Sequence, residues 1–146
     1  MQVDFYQLTR DPAEKILTAL AQKTLSDKAR LLVVSGTAAQ LEAISKALWS
    51  VPGAAFLAHA ISDGGAADAL QPILLSDQVK APNDAKFIAI ADGIWREEAL
   101  TFDRVFYLFP PERTDNARAA WRALGEAENV TRNYWRQDGG KWIKGP

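Results

Sequence analysis

The sequence predicts an α/β fold, a three-layer sandwich with a mostly parallel or mixed central sheet covered by helices. Three features predict it. Phe87-Ile88-Ala89-Ile90-Ala91 and Val105-Phe106-Tyr107-Leu108-Phe109 are short, continuously apolar runs, which is how strands buried on both faces read; half-exposed strands alternate. Strand-like and helix-like segments succeed one another from the N-terminus in a βαβ rhythm. Helix-start patterns stand directly after the first two strand-like runs.

Taken in order, Val3–Leu8 is rich in aromatic and branched residues and predicts the first strand. Asp11-Pro12-Ala13-Glu14 then predicts a helix start, with Asp11 as cap, Pro12 at the first helical position and Glu14 closing a capping box. Ile16, Leu17, Leu20 and Ala21 form an apolar stripe that carries this helix to about Thr24. Leu31–Val34 is the next buried strand and Gly36 allows a tight exit. Thr37 and Gln40 make a second capping pattern before the stripe Leu41, Ile44, Leu48, and Pro52-Gly53 ends the element. Phe56–Ile61 is a shorter strand, Ser62–Asp68 a loop, Pro72–Leu75 another strand and Ala81–Asp84 a connection. After the two apolar runs, Pro110-Pro111 breaks the backbone, and Thr114 or Asp115 caps a last helix with core positions Ala117, Ala120, Trp121 and Leu124, ending at Gly125. Val130–Gln137 and Lys141–Ile143 predict antiparallel strands joined through Asp138-Gly139-Gly140. No repeat divides the 146 residues, so a single domain is expected.

Composition bounds the function. Lys and Arg total 17 against 18 Asp and Glu, so no global basic surface grips nucleic acid, although local patches are allowed. Cysteine is absent, which excludes disulfides, thiol catalysis and cysteine zinc sites. The N-terminus enters a strand at once and no apolar run reaches membrane length, so a cytoplasmic protein with no membrane contact is expected.

Neither the dinucleotide glycine turn nor the phosphate loop with its lysine is present, and Asp138-Gly139-Gly140-Lys141 is too short to replace the latter. His59 is the sole histidine, with only Ser62 and Asp63 close in sequence, and is read as structural or pocket-lining. Asp4, Asp92 and Asp103 stand near strand ends without paired spacing, so turns, caps and solvent exposure account for them. No catalytic residue, cofactor or metal is therefore expected. A divergent small-molecule α/β enzyme using Asp4, His59 or Asp92 is the alternative.

The aromatic residues say more. At about 100° per residue, Trp121 lies beside the Ala117/Ala120/Leu124 stripe, with Arg118 at its border and Arg122 farther out. Trp121 can simply pack on the sheet while the arginines solubilise the helix. Alternatively, Trp121, with Trp49, receives an apolar side chain of a peptide while Arg118 and Arg122 meet acidic side chains or a terminal carboxylate. Tyr134, Trp135, Arg136, Lys141 and Trp142 pose a similar choice between a single-stranded nucleic-acid platform and cross-strand pairs of a hairpin.

Across nearly its full length the chain resembles the chi subunits of bacterial DNA polymerase III, accessory proteins of the clamp-loader complex. The resemblance rests on Val3-Asp4-Phe5-Tyr6-Gln7-Leu8, Ala47-Leu48-Trp49, Phe56 followed by His59, Phe87–Asp92 and Ala117-Arg118-Ala119-Ala120-Trp121-Arg122. It implies a Rossmann-like fold without nucleotide chemistry. It also implies pairing with the psi subunit, or a divergent clamp-loader partner, and capture of the acidic, aromatic-ended C-terminal tail of single-stranded-DNA-binding protein at replication forks. DNA is then contacted mainly indirectly. In this resemblance Arg118 matches the arginine that receives the tail carboxylate, Trp121 a position usually held by tyrosine, and Trp49 a family aromatic. Phe56, Ala58 and His59 resemble a family surface, a psi contact or a pocket lining, with Ala58 where some relatives have proline.

Overall fold

A computed structural model describes residues 1–9, 11–50, 57–138 and 141–145. In chain order it contains β1 (Gln2–Gln7), α1 (Ala13–Ser26), β2 (Leu31–Val34), α2 (Ala38–Trp49), β3 (His59–Ile61), β4 (Ile73–Ser76), β5 (Phe87–Ile90), β6 (Arg104–Phe109), α3 (Thr114–Gly125), β7 (Thr131–Asp138) and β8 (Lys141–Lys144). The strands form one sheet in the order β3-β4-β2-β5-β6-β1-β7-β8. All pairings are parallel except that of β7 with β8.

Helices cover both faces, which makes the three-layer α/β sandwich that the apolar runs predict. Successive residues of a strand point to opposite faces, and the two core clusters divide accordingly. Leu31, Val33, Ala89, Phe106 and Leu108 pack with Leu17 and Ala21 of α1 and Leu41, Ile44 and Leu48 of α2. On the other face Val3, Phe5, Leu32, Val34, Ile88, Ile90, Val105, Tyr107 and Phe109 pack with Ala117, Ala120 and Leu124 of α3. Interior strands need apolar residues at every position because both sides are covered, and β2 is buried throughout.

Local details differ from expectation where a tertiary partner takes the side chain. Asp11 does not cap α1. Pro12 stands at that position, and the Asp11 carboxylate accepts from Lys15 Nζ at 3.2 Å and from Gln137 Nε2 at 3.0 Å. Thr37 occupies the N-cap of α2, but the box with Gln40 does not form. Gln40 instead accepts from Ser35 Oγ and donates to the Ala91 carbonyl at 2.8 Å, tying the ends of β2 and β5 together. The last helix begins at Thr114, whose hydroxyl donates to the Pro111 carbonyl at 2.7 Å, and neither Thr114 nor Asp115 caps it.

Short 3-10 turns at Ala66–Leu70, Glu97–Thr101 and Pro111–Arg113 replace what reads as plain connection. The first begins inside the Ser62–Asp68 loop, where the buried Asp68 carboxylate accepts from Ser62 Oγ at 2.5 Å and from the Gly64 N–H at 3.2 Å. Of the expected Phe56–Ile61 strand, His59–Ile61 forms β3, while Leu57 and Ala58 lie outside any strand. Phe56, the Pro52-Gly53 terminator and the Gly139-Gly140 turn lie outside the described residues.

Candidate functional site

α3 lays its alanine and leucine stripe on the sheet, which leaves Arg118 and Arg122, one turn apart, on its outer side. Beneath that side run β1 and β7, paired so that Phe5 stands opposite Tyr134 and Gln7 opposite Arg136. The helix and the two strands enclose a cleft of about 430 Å³ lined by Gln7, Thr114, Arg118, Trp121, Arg122, Tyr134 and Arg136. Three of the residues named from the sequence, Arg118, Trp121 and Arg122, thus meet in one cavity.

The indole of Trp121 is held on several sides. Its ring meets Phe5 edge-on at 5.2 Å and Tyr134 edge-on at 5.6 Å between centroids. The Arg132 guanidinium sits 4.1 Å from the ring centroid and donates to the Trp121 carbonyl. Tyr134 is buried and donates its hydroxyl to Gln7 Oε1 at 2.6 Å. Burial pushes the Tyr134 phenol up, against the opposing pull of Arg118, so it remains a neutral donor at neutral pH. Among the described residues the remaining three polar side chains of size are guanidinium groups, and no carboxylate lines the cleft. Among the described residues none of Arg118, Arg122 and Arg136 takes part in an ion pair. Such a cleft suits an anion with an apolar group attached: the indole desolvates the apolar part, and guanidinium forks bind a carboxylate directionally.

Trp49 is not brought to this cleft. It ends α2, which covers the opposite face of the sheet, and its ring lies 4.7 Å from that of His59 at the far edge strand β3. Periodicity within a helix fixes which residues point outward, but not which face of the sheet the helix covers. Trp49 is 58% exposed, while His59 beneath it is buried. The Nδ1 of His59 lies 2.8 Å from the Leu57 carbonyl, so it carries the proton, and Nε2 accepts from Ser45 Oγ at 2.9 Å. Phe56, named with His59 from the sequence, lies outside the described residues.

Asp4, His59 and Asp92, the residues of the enzyme alternative, stand apart from one another. Asp4 is buried within β1, bound by Arg104 at 2.7 Å, Asn133 at 3.0 Å and Gln2 at 3.1 Å. Asp92 follows β5 and accepts both arms of Arg96, at 2.8 and 2.9 Å, and the N–H groups of Gly36 and Ile94. Burial pushes its carboxyl up, but these hydrogen bonds and the Arg96 charge outweigh it and hold the group below the usual carboxylate range. Only Asp92 opens on the second cavity, about 720 Å³ at the C-terminal ends of the parallel strands, which Asp11, Glu14, Glu112 and Arg113 also line. Among the described residues no group of three His, Asp or Glu is placed to hold a metal ion. Among the described residues no helix is long and apolar enough to cross a membrane.

The C-terminal aromatic and basic residues are also divided by the pleat. Tyr134 and Arg136 point into the cleft, whereas Trp142 joins the opposite core cluster and meets Tyr6 edge-on at 5.1 Å. Trp135 carries the Lys144 ammonium 6.0 Å from its centroid. Sequence reasoning did not place Gln7, Tyr134 or Arg136 in the cleft. Alternation along β7 marks Arg132, Tyr134 and Arg136 as one face, but only the β1–β7 pairing shows which helix that face meets.

The family model for "DNA polymerase III chi subunit, HolC" matches residues 1–131, which include Trp49, His59 and all of α3. No curated protein matches the chain. With that match running from the first residue through the helix that carries Arg118 and Trp121, the chain belongs to the DNA polymerase III chi subunit family.

Proposed function

We propose that this chi-family chain is a non-catalytic, cytoplasmic accessory subunit of the DNA polymerase III holoenzyme. It links the clamp loader to the C-terminal tail of single-stranded-DNA-binding protein at replication forks. The observation that carries this reading is the joining of Arg118, Arg122 and Trp121 in one cleft that no carboxylate of the described residues lines. The tail's last side chain packs beside the Trp121 indole, its terminal carboxylate pairs with Arg118, and Arg122 draws the acidic residues that precede it. Exposed charge makes the contact weaken with salt, while the apolar part persists. Several tails on one coated strand raise the effective concentration at the cleft.

A second surface is assigned to the clamp-loader side, whether psi or a divergent partner. Trp49 at 58%, Ile61 at 39% and Leu70 at 74% are large exposed apolar residues near the β3 edge, and His59 supports Trp49 from below. In the sheet β3 and β7 are six strand steps apart, roughly 29 Å at about 4.8 Å per step. Two partners of ordinary size can then be held at once, as a linking subunit requires.

The test is a titration with a short synthetic peptide ending in a run of aspartates and a free C-terminal phenylalanine. Arg118→Ala is expected to bind it about tenfold or more weakly than the unaltered protein, since a charged hydrogen-bond pair is lost. Its thermal unfolding should be unchanged, because Arg118 is exposed. Equal affinities would refute the assignment.

A further inference from the structure

Resting on the tail-binding reading, we infer that the cleft is a two-walled clamp for two anionic groups. The α3 wall takes the chain-terminal carboxylate through Arg118, and the β7 wall takes an upstream acidic side chain through Arg136. The ligand is thereby narrowed to a peptide end with a free carboxylate, an apolar last side chain and an acidic residue close before it.

The charge balance leads to this first. Three guanidinium groups from two elements line about 430 Å³ with no carboxylate among the described lining residues. Like charges gathered at a partly desolvated cavity repel, and a single carboxylate leaves the cleft with two uncompensated cations. A ligand carrying two or more negative charges relieves the repulsion.

The roles within β7 select Arg136. Arg132, Tyr134 and Arg136 alternate onto the cleft face, and the first two have internal partners. Arg132 lies over the Trp121 ring and donates to its carbonyl, while Tyr134 donates to Gln7. Arg136 lines the cleft opposite Gln7 in the register and, among the described residues, enters no ion pair. Its fork is free to take a carboxylate with two parallel hydrogen bonds. An extended peptide advances about 3.3–3.6 Å per residue, so a carboxylate one or two residues before the terminus is displaced by a few ångströms from the one at Arg118. Arg122, one turn along α3, offers one cation at such a displacement, and Arg136 on β7 offers another from a different element. β7 beyond Thr131 also lies outside the residues that the family model matches, so this wall is an inference about this chain and not about the family.

The experiment is a cycle of two proteins and two peptides. The unaltered chain and Arg136→Gln are each titrated with the aspartate-run peptide ending in free phenylalanine and with the same peptide carrying asparagine for aspartate. Arg136→Gln is expected to lose about three- to tenfold on the acidic peptide and less than about twofold on the asparagine peptide. Amidating the peptide's C-terminus should still weaken binding to Arg136→Gln, because Arg118 is intact. Equal losses on both peptides, or no loss on either, overturn the clamp while leaving tail binding standing. If the unaltered chain binds neither peptide, the tail-binding reading falls and the clamp with it. Arg136→Lys, which keeps the charge but not the fork, is expected to fall between the two proteins. Should it match Arg136→Gln on the acidic peptide, the fork and not the charge does the holding.

Discussion

At the scale of single residues the cleft combines one rigid apolar wall with cations left in solvent. Arg132 caps the Trp121 ring and Phe5 and Tyr134 pack against it in T-shaped contacts, so a ligand meets a packed apolar surface. The tyrosines report on the packing around them. Burial, with a contribution from Asp4 for Tyr6 and Asp92 for Tyr107, pushes both phenols up to about 12. Tyr134 is raised as well, by burial. A folded-state value above the unfolded 10 means that the folded protein keeps the proton while the unfolded chain loses it. The stabilisation is complete below pH 10 and fades as pH rises to about 12. Ultraviolet titration of the phenolates should therefore show Tyr6 and Tyr107 ionising near pH 12, with stability falling from pH 10 upward. Ionisation of these groups near pH 10 with the fold intact would contradict the packing described. In Arg118→Ala, Tyr134 should ionise at still higher pH, because the opposing charge is gone.

Arg118, Trp121 and Arg122 were readable from the sequence because one helical period places all three. Arg136 and Gln7 were not readable as their neighbours. They come together only because β1 and β7 pair in parallel across more than a hundred residues, and no local pattern encodes that pairing.

At the scale of elements, side chains at strand ends hold the layers in place. Asp92 fastens the turn after β5 to Gly36 after β2 and to Arg96, and Gly93 beside it has φ 76° with its carbonyl taken by Tyr107 at 2.7 Å. A Cβ at Gly93 would lie 2.7 Å from Arg113 Cγ and 3.0 Å from Pro110 Cδ, so both backbone and space require glycine there. Asp92→Asn is expected to cost about 2–3 kcal/mol in denaturant unfolding, since it leaves a largely buried guanidinium without its partner. Because the Asp92 pKa is lowered in the folded state, its contribution is present above about pH 4 and is lost as pH falls through the lower folded value. The variant's deficit should accordingly shrink in acid. A deficit that stays constant to the lowest pH would show that the ion pair is not its source.

The same level explains which caps failed. Thr37, Gln40, Asp11 and Glu14 fit the capping pattern, yet Gln40 and Asp11 are drawn to Ala91 and Gln137, partners distant in sequence. Strands β2, β5 and β6 were legible because burial on both faces leaves a continuous apolar run. The 3-10 turns were not, since three to five residues carry no period.

At the scale of the molecule, the sheet separates two surfaces. α1 and α2 cover one face and α3 the other, so Trp49 and Trp121 stand on opposite sides, although both are tryptophans on helices with apolar stripes. The sequence implied the three layers through its apolar runs and alternating elements. Strand order was not implied, because β1 lies between β6 and β7 and the chain returns to it only at its C-terminal end.

The most direct test follows the tryptophan indole N–H signals by NMR, assigned by single Trp→Phe variants, as the acidic phenylalanine-ended peptide is added. The signal of Trp121 should shift and saturate with the binding curve while that of Trp49 stays fixed. A saturating shift of Trp49 with Trp121 unmoved would place the peptide on the wrong side of the sheet and contradict the account.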